Sequence, residues 1–256
     1  MHLRLPRTAF AVGLAIAAAC ASMSARAALQ PGASPDAANV LAPFGEPGKP
    51  VQSPWHVDGL PDQTKPFTLF SVVDIDGRRS LRMDADKSYG DLVQRLPASV
   101  NAGQLHWAWR LEQPLAHSDL RNRSGDDSAA KVCAFFDEPM ARLSFGERQL
   151  LRLFRARSGE PVPTATICYV WDTTLPVGTA LDNAFTRRIR YIVLESGAAK
   201  KGAWISEQRD LAADFSRLFG AESPEVPKVT GVALGADADN TQGHSIADVA
   251  DVVLRP

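Results

Sequence analysis

Two β-prone runs, Phe67 to Ile75 and Ser80 to Ala85, are separated by a segment that contains Asp76-Gly77, and this dipeptide constrains the chain more than any other. A tight hairpin turn needs positive φ at both central residues, which Asp and Gly tolerate and most residues do not. The chain is therefore expected to reverse at Asp76-Gly77 and to pair the two runs antiparallel. Further runs of strand character lie at Gln104 to Leu111, Ala130 to Asp137, Ala165 to Asp172, Arg188 to Ser196, Val229 to Ala236 and Val249 to Leu254. Successive side chains of a strand point to opposite sides, so Leu105, Trp107, Trp109 and Leu111 share one face, and His106, Ala108, Arg110 and Glu112 share the other.

Two helices interrupt this pattern. Ser144-Phe145-Gly146-Glu147 is a capping box, followed by an apolar face of Leu150, Leu151 and Phe154 and a stop near Gly159. A second helix is predicted from about Asp210 to Phe219, with Leu211, Phe215, Leu218 and Phe219 at helical spacing and Gly220 as a left-handed stop. Many short strands, few helices and no regular βαβ alternation predict a mainly β fold, an antiparallel β-sandwich with one or two short helices. With 256 residues, 45% of them apolar, the chain can bury the core this requires.

Residues 1–27 carry Arg4, Arg7 and Arg26, no acid, an apolar run from Ala9 to Ala21 and the small-x-small sequence Ala25-Arg26-Ala27. These are the parts of a secretory signal cleaved after Ala27, which places the protein in the periplasm or outside the cell. No later stretch is long and apolar enough for a transmembrane span. A lipoprotein modified at Cys20 is disfavoured because Ala17-Ala18-Ala19 lacks the larger aliphatic residue such a site uses. Residues 28–54, with six prolines among small and polar residues, read as a flexible leader, and residues 55–256 as a single sandwich domain. A net charge of −1 gives no support to nucleic-acid binding.

Candidate site residues come from the polar rows and the strand ends. If the tryptophan row fills the interior, His106 and Arg110 look outward and can meet a ligand; the competing arrangement is an exposed tryptophan platform that stacks on sugar rings. Asp126 and Asp127 stand in a turn before a strand, where paired acids hold a cation, accept from sugar hydroxyls or cap the turn. Trp171 and Asp172 end a strand where a loop opens. Asp237, Asp239 and Thr241 alternate as oxygen ligands of Ca²⁺ would, with Asp248 as a last ligand. However, Gln242 stands where a calcium loop has glycine, and the bland reading is a polar turn satisfying its own backbone. Gly231, Ala233 and Gly235 leave one strand face nearly bare, to be covered by the second helix or by a ligand. Cys133 and Cys168 are either bridged or two buried thiols.

No nucleophile elbow, zinc-protease motif, phosphate loop or dinucleotide fingerprint occurs, and His56, His106, His117 and His244 are far apart. A glycosidase needs only two carboxylates and leaves no linear signature; Asp172, Glu195 and Asp237 are the acids to consider.

The ordered series Leu105-His106-Trp107-Ala108-Trp109-Arg110, Gly125-Asp126-Asp127-Ser128 through Val132, Tyr169-Val170-Trp171, Arg190 to Leu194, Trp204 with Arg209-Asp210 and Asp214-Phe215, and Asp237 to Thr241 resembles an exported bacterial family known as domain of unknown function 3047. The resemblance spans about residues 55 to 255, with Glu138 to Thr164 looking like a variable insertion. It carries no catalytic residues. Its similarity to jelly-roll, galactose-binding-like modules implies noncatalytic binding of a saccharide or cell-envelope glycan. The alternatives are a glycosidase- or lyase-type enzyme and a protein-interaction module without a small ligand.

Overall fold

The computed structural model describes residues 38–158 and 161–256, so the signal segment and most of the leader's first part lie outside the described residues. The first half of the chain forms β1 (His56–Asp58), β2 (Leu69–Ile75), β3 (Arg78–Asp86), β4 (Asp91–Val100), β5 (Gln104–Gln113), β6 (Ala130–Phe136) and α1 (Phe145–Ser158). The second half forms β7 (Ala165–Asp172), β8 (Ala180–Asp182), β9 (Ile189–Ser196), β10 (Ile205–Asp210), α2 (Leu211–Phe219), β11 (Val229–Gly235) and β12 (His244–Arg255). A seven-stranded sheet in the order β1-β4-β11-β6-β7-β9-β8 faces a five-stranded sheet in the order β10-β5-β12-β3-β2. The pairing is antiparallel except between β7 and β9, which run parallel.

Asp76 and Gly77 take φ of 56° and 79° and join β2 to β3 with Ile75 opposite Arg78, as the dipeptide requires. Leu105, Trp107, Trp109 and Leu111 all point into the interior, Trp107 edge-on to Trp109 at 5.5 Å and beside Tyr169 at 5.3 Å. The exposed-platform arrangement is thereby excluded: a row of four large apolar side chains is what fills the space between two sheets.

The expectation of a flexible leader fails for its second part. Leu41 and Phe44 are buried in the core, Val40 donates its N–H to Leu254 O, and the Trp55 indole donates to Ala42 O at 2.8 Å. The inward-facing Gln94 of β4 accepts from Ala42 N at 2.9 Å, so the leader also satisfies a polar group inside the sandwich. A few apolar residues set among prolines were sufficient for ordering because an open edge of the core was available to receive them.

Ser144 and Glu147 form the capping box of α1, Glu147 Oε2 accepting from Ser144 N at 2.9 Å. Of its expected apolar face, Leu151 is buried while Leu150 and Phe154 are exposed. In α2, Asp210 caps Ala213 N, and Phe215 and Phe219 enter the core. Gly220 is right-handed at φ −58° rather than a left-handed stop; its N–H closes the last turn on Ser216 O. Since α2 is taken into the core, it does not cover the bare face of β11. That face is filled from the neighbouring strands: a Cβ on Gly235 would strike the Asp91 carboxylate and Lys131, and one on Gly231 would press on Phe135.

Cys133 and Cys168 are direct cross-strand partners in β6 and β7 and are joined by a disulfide. The bridge lies in a second apolar cluster on the outer face of the seven-stranded sheet, with Val170, Val193 and Tyr191 and, from the loops, Leu120 and Leu175. It closes a loop of 35 residues, so replacing both cysteines by alanine should lower stability by about 2–4 kcal/mol in chemical denaturation. Thiol alkylation of the denatured, unreduced protein should label neither residue; labelling of both would contradict the bridge.

Candidate functional site

The sequence-predicted residues fall in separate places. On the outer face of the five-stranded sheet, Asp248 takes a two-pronged hydrogen bond from Arg82 at 2.9 and 3.1 Å, and Arg110 is held by Glu112 at 2.6 Å and Asp76 at 3.1 Å. His106 lies on the same face, opposite Val253 and Gln208. Burial, then the nearby Arg255, pushes its imidazole below the usual histidine value.

The other acids gather at one end of the seven-stranded sheet's outer face. Asp127 is fully buried and accepts from Asn240 N and from Thr241 N and Oγ1. Asp237 accepts from Ser128 N at 2.7 Å and Ser128 Oγ at 2.9 Å, and from Lys131 Nζ at 3.0 Å. Lys131 also meets Asp91 at 3.2 Å, and its ammonium lies 4.8 Å above the Tyr89 ring. Burial alone would discharge Lys131, but Asp237 and then Asp91 outweigh it and hold the ammonium well above the usual lysine value. Asp126 accepts from Asn183 Nδ2 at 2.6 Å and Tyr191 OH at 3.2 Å. Burial, reinforced by Asp237, raises its carboxyl to about 6. Its charge is therefore a cost that is absent in acid and sets in as pH rises through that value.

This network fastens the Asp237–Thr241 turn to the turn at Asp126-Asp127. The expected calcium set is not assembled: Asp239 pairs with Lys65, Thr241 with Asp127, and Asp248 lies on the other sheet with Arg82. Among the described residues no group of three or more His, Cys, Asp or Glu is placed to hold one metal ion. Lys131 was missed in the sequence, although a lone lysine between Ala130 and Val132, in a strand buried on both faces, signals that partners must exist.

A third place lies where β5, β7 and β9 end. Trp171 is not at the surface there: it continues the inward row of Ile167 and Tyr169, packs tilted against Trp109 at 5.7 Å and donates its indole N–H to Gly197 O. Asp172, next along and on the opposite parity, is 2% exposed, and its Oδ1 accepts from Thr174 N and Leu175 N. Its Oδ2 is buried with no hydrogen-bond partner among the described residues. Asp172 helps line a cavity of about 180 Å³ whose walls include Leu111, Pro114, Leu115, Ala129 and Gly197. A buried carboxylate oxygen without a donor is costly, and here it belongs to a residue that lines a largely apolar cavity.

Of the three acids considered for catalysis, Asp172 lines this cavity, Glu195 is paired with Lys200 at 2.6 Å, and Asp237 belongs to the Lys131 network. Sequence reasoning missed Glu207 of β10. Burial, then the charge of Glu195, raises its carboxyl to about 7.

Two facing sheets of seven and five strands, with a cavity where strands give way to loops, define a β-sandwich of jelly-roll type. The chain belongs to the family described as "Protein of unknown function (DUF3047)", which matches residues 53–253. No curated protein matches it. Among solved structures it is similar to endoglucanase 3 of family GH12 from Trichoderma harzianum, at 10% identity over 79% of this chain and 99% of that one, TM-score 0.39. It is also similar to the xyloglucanase domain of NopAA, a type three effector from Sinorhizobium fredii, in complex with cellobiose, at 11% identity over 79% and 93%, TM-score 0.40. A family 12 xyloglucanase from Bacillus licheniformis matches at 9% identity over 78% and 100%, TM-score 0.38. Among the described residues no helix is long and apolar enough to cross a membrane.

Proposed function

We propose that the chain is a noncatalytic saccharide-binding protein whose site is the cavity at the strand ends, with Asp172 Oδ2 as its hydrogen-bond acceptor. The observation that carries the reading is that Asp172, whose Oδ2 finds no donor among the described residues, lines a largely apolar chamber. A sugar ring has both things this chamber lacks: C–H faces for Leu111, Pro114 and Leu115, and hydroxyl donors for Asp172. At about 180 Å³ the chamber is smaller than the roughly 300–1,000 Å³ of most small-molecule sites, which suits one ring rather than an oligosaccharide. The protein would then grip a chain end or a single side residue of a glycan.

A glycan array, run with and without a chelator and followed by titration of the best ligand, tests this. Asp172→Asn keeps the acceptor for Thr174 and Leu175 but turns Oδ2 into a donor, so affinity should fall at least about tenfold, the loss of a charge-assisted hydrogen bond. Unchanged affinity in Asp172→Asn, or an array with no bound glycan, would contradict the proposal.

One observation favours the enzyme reading. Glu207, raised to about 7, and Glu195, beside Lys200, have the unequal environments that separate a general acid from a carboxylate partner. Release of reducing ends from a polysaccharide, abolished by Glu207→Gln, would select that reading over binding alone.

A further inference from the structure

Helix α1 is attached to the body of the protein by little. Of its fourteen residues only Leu151 is buried, helped by Glu147 against Arg188 at 3.5 Å and by the guanidiniums of Arg148 and Arg155 on the carbonyls of Leu143 and Val162. At 100° per residue these anchors occupy one side of the helix. Phe145, Leu150, Leu153 and Phe154, which are 70%, 43%, 49% and 40% exposed, run round the rest of the helix, with Leu153 opposite the anchors and Phe154 beside them. Arg152, at one edge of this arc, and Arg157, within it, are both exposed, and the helix's one acid, Glu147, is turned toward the body.

We propose that α1 seats the protein on an anionic lipid surface, its apolar stripe entering the acyl boundary while Arg152 and Arg157 meet phosphate headgroups. The composition is that of an interfacial helix: aromatic and aliphatic side chains on one exposed arc with cations beside them. Charge selects the occupant. A second copy of this chain docking face to face would bring like-charged arginines together around the apolar stripe, whereas an anionic bilayer neutralises them. A helix raised on a single buried leucine also forms a ridge rather than a groove, which suits a deformable surface.

The test is co-sedimentation of the whole protein with phosphatidylcholine vesicles, with and without phosphatidylglycerol. Binding is expected only with phosphatidylglycerol and should weaken as salt rises. Arg152→Gln and Arg157→Gln should each reduce partitioning about fivefold, and Leu150→Ser with Phe154→Ser roughly tenfold or more, with circular dichroism unchanged because these side chains are exposed. Equal binding to both vesicles, or no binding to either, would overturn the proposal. So would a dimer in sedimentation velocity that Leu150→Ser with Phe154→Ser dissolves, since the stripe would then belong to a second copy.

Discussion

Replacing Lys131 by methionine should cost the fold about 3–5 kcal/mol, the penalty for orphaning a buried ion-pair partner. At roughly 2–4 °C per kcal/mol for a chain of this size, Tm should fall by about 6–20 °C. Methionine matches the length of the lysine stem, so the loss is electrostatic: Asp237 and Asp91 would face one another without the cation now 3.0 and 3.2 Å away. The pH dependence has a definite sign. Burial already pushes Asp237 above the usual aspartate value, with Lys131 pulling it down, so removing Lys131 raises the carboxyl further. A carboxyl raised in the folded state contributes stability in acid that is lost as pH rises through its folded value. The deficit of the variant should therefore be smaller at pH 5 than at pH 8, and Lys131→Met with Asp237→Asn should recover part of it. Melting curves of the three proteins at both pH values decide; a deficit under about 1 kcal/mol at pH 8 would mean that the pair does not hold the two turns together.

The second large effect concerns the tryptophan row. Trp107 is 2% exposed between Trp109 and Tyr169, so Trp107→Ala should destabilise by about 3–5 kcal/mol through lost burial and the cavity left behind. Sugar affinity of the folded fraction should remain that of the wild type. A stacking platform would give the reverse, near-normal stability with binding lost. Paired denaturation and titration experiments on this variant separate the two.

The alternation that placed Trp107 in the core was legible because β5 is regular and polar on one side only. The Asp76-Gly77 hairpin and the Ser144–Glu147 cap were legible because their signals are local. β4 was not, since Pro97 interrupts a run that otherwise alternates, and β10 was not, since Ile205 to Asp210 is half charged. In β12 the bulge at Asp251, φ 55°, lies within the run read from the sequence; what was not legible is the part before Val249, where His244, Ser245 and Asp248 are polar. The candidate site divides the same way. Asp172 could be named because a strand visibly ends there, but its free oxygen depends on which backbone donors the following loop supplies. The Lys131 network joins residues more than a hundred positions apart, a pairing that only the sheet order β4-β11-β6 brings about.

The most direct measurement is backbone amide chemical-shift mapping as the best array ligand is titrated into the protein. The saccharide proposal predicts that perturbations concentrate at residues 111–115, 129, 172–174 and 197–198, around the unsatisfied acceptor. Shifts centred on His106 and Arg110, or along the Lys131 end of the larger sheet, would place recognition elsewhere and contradict it.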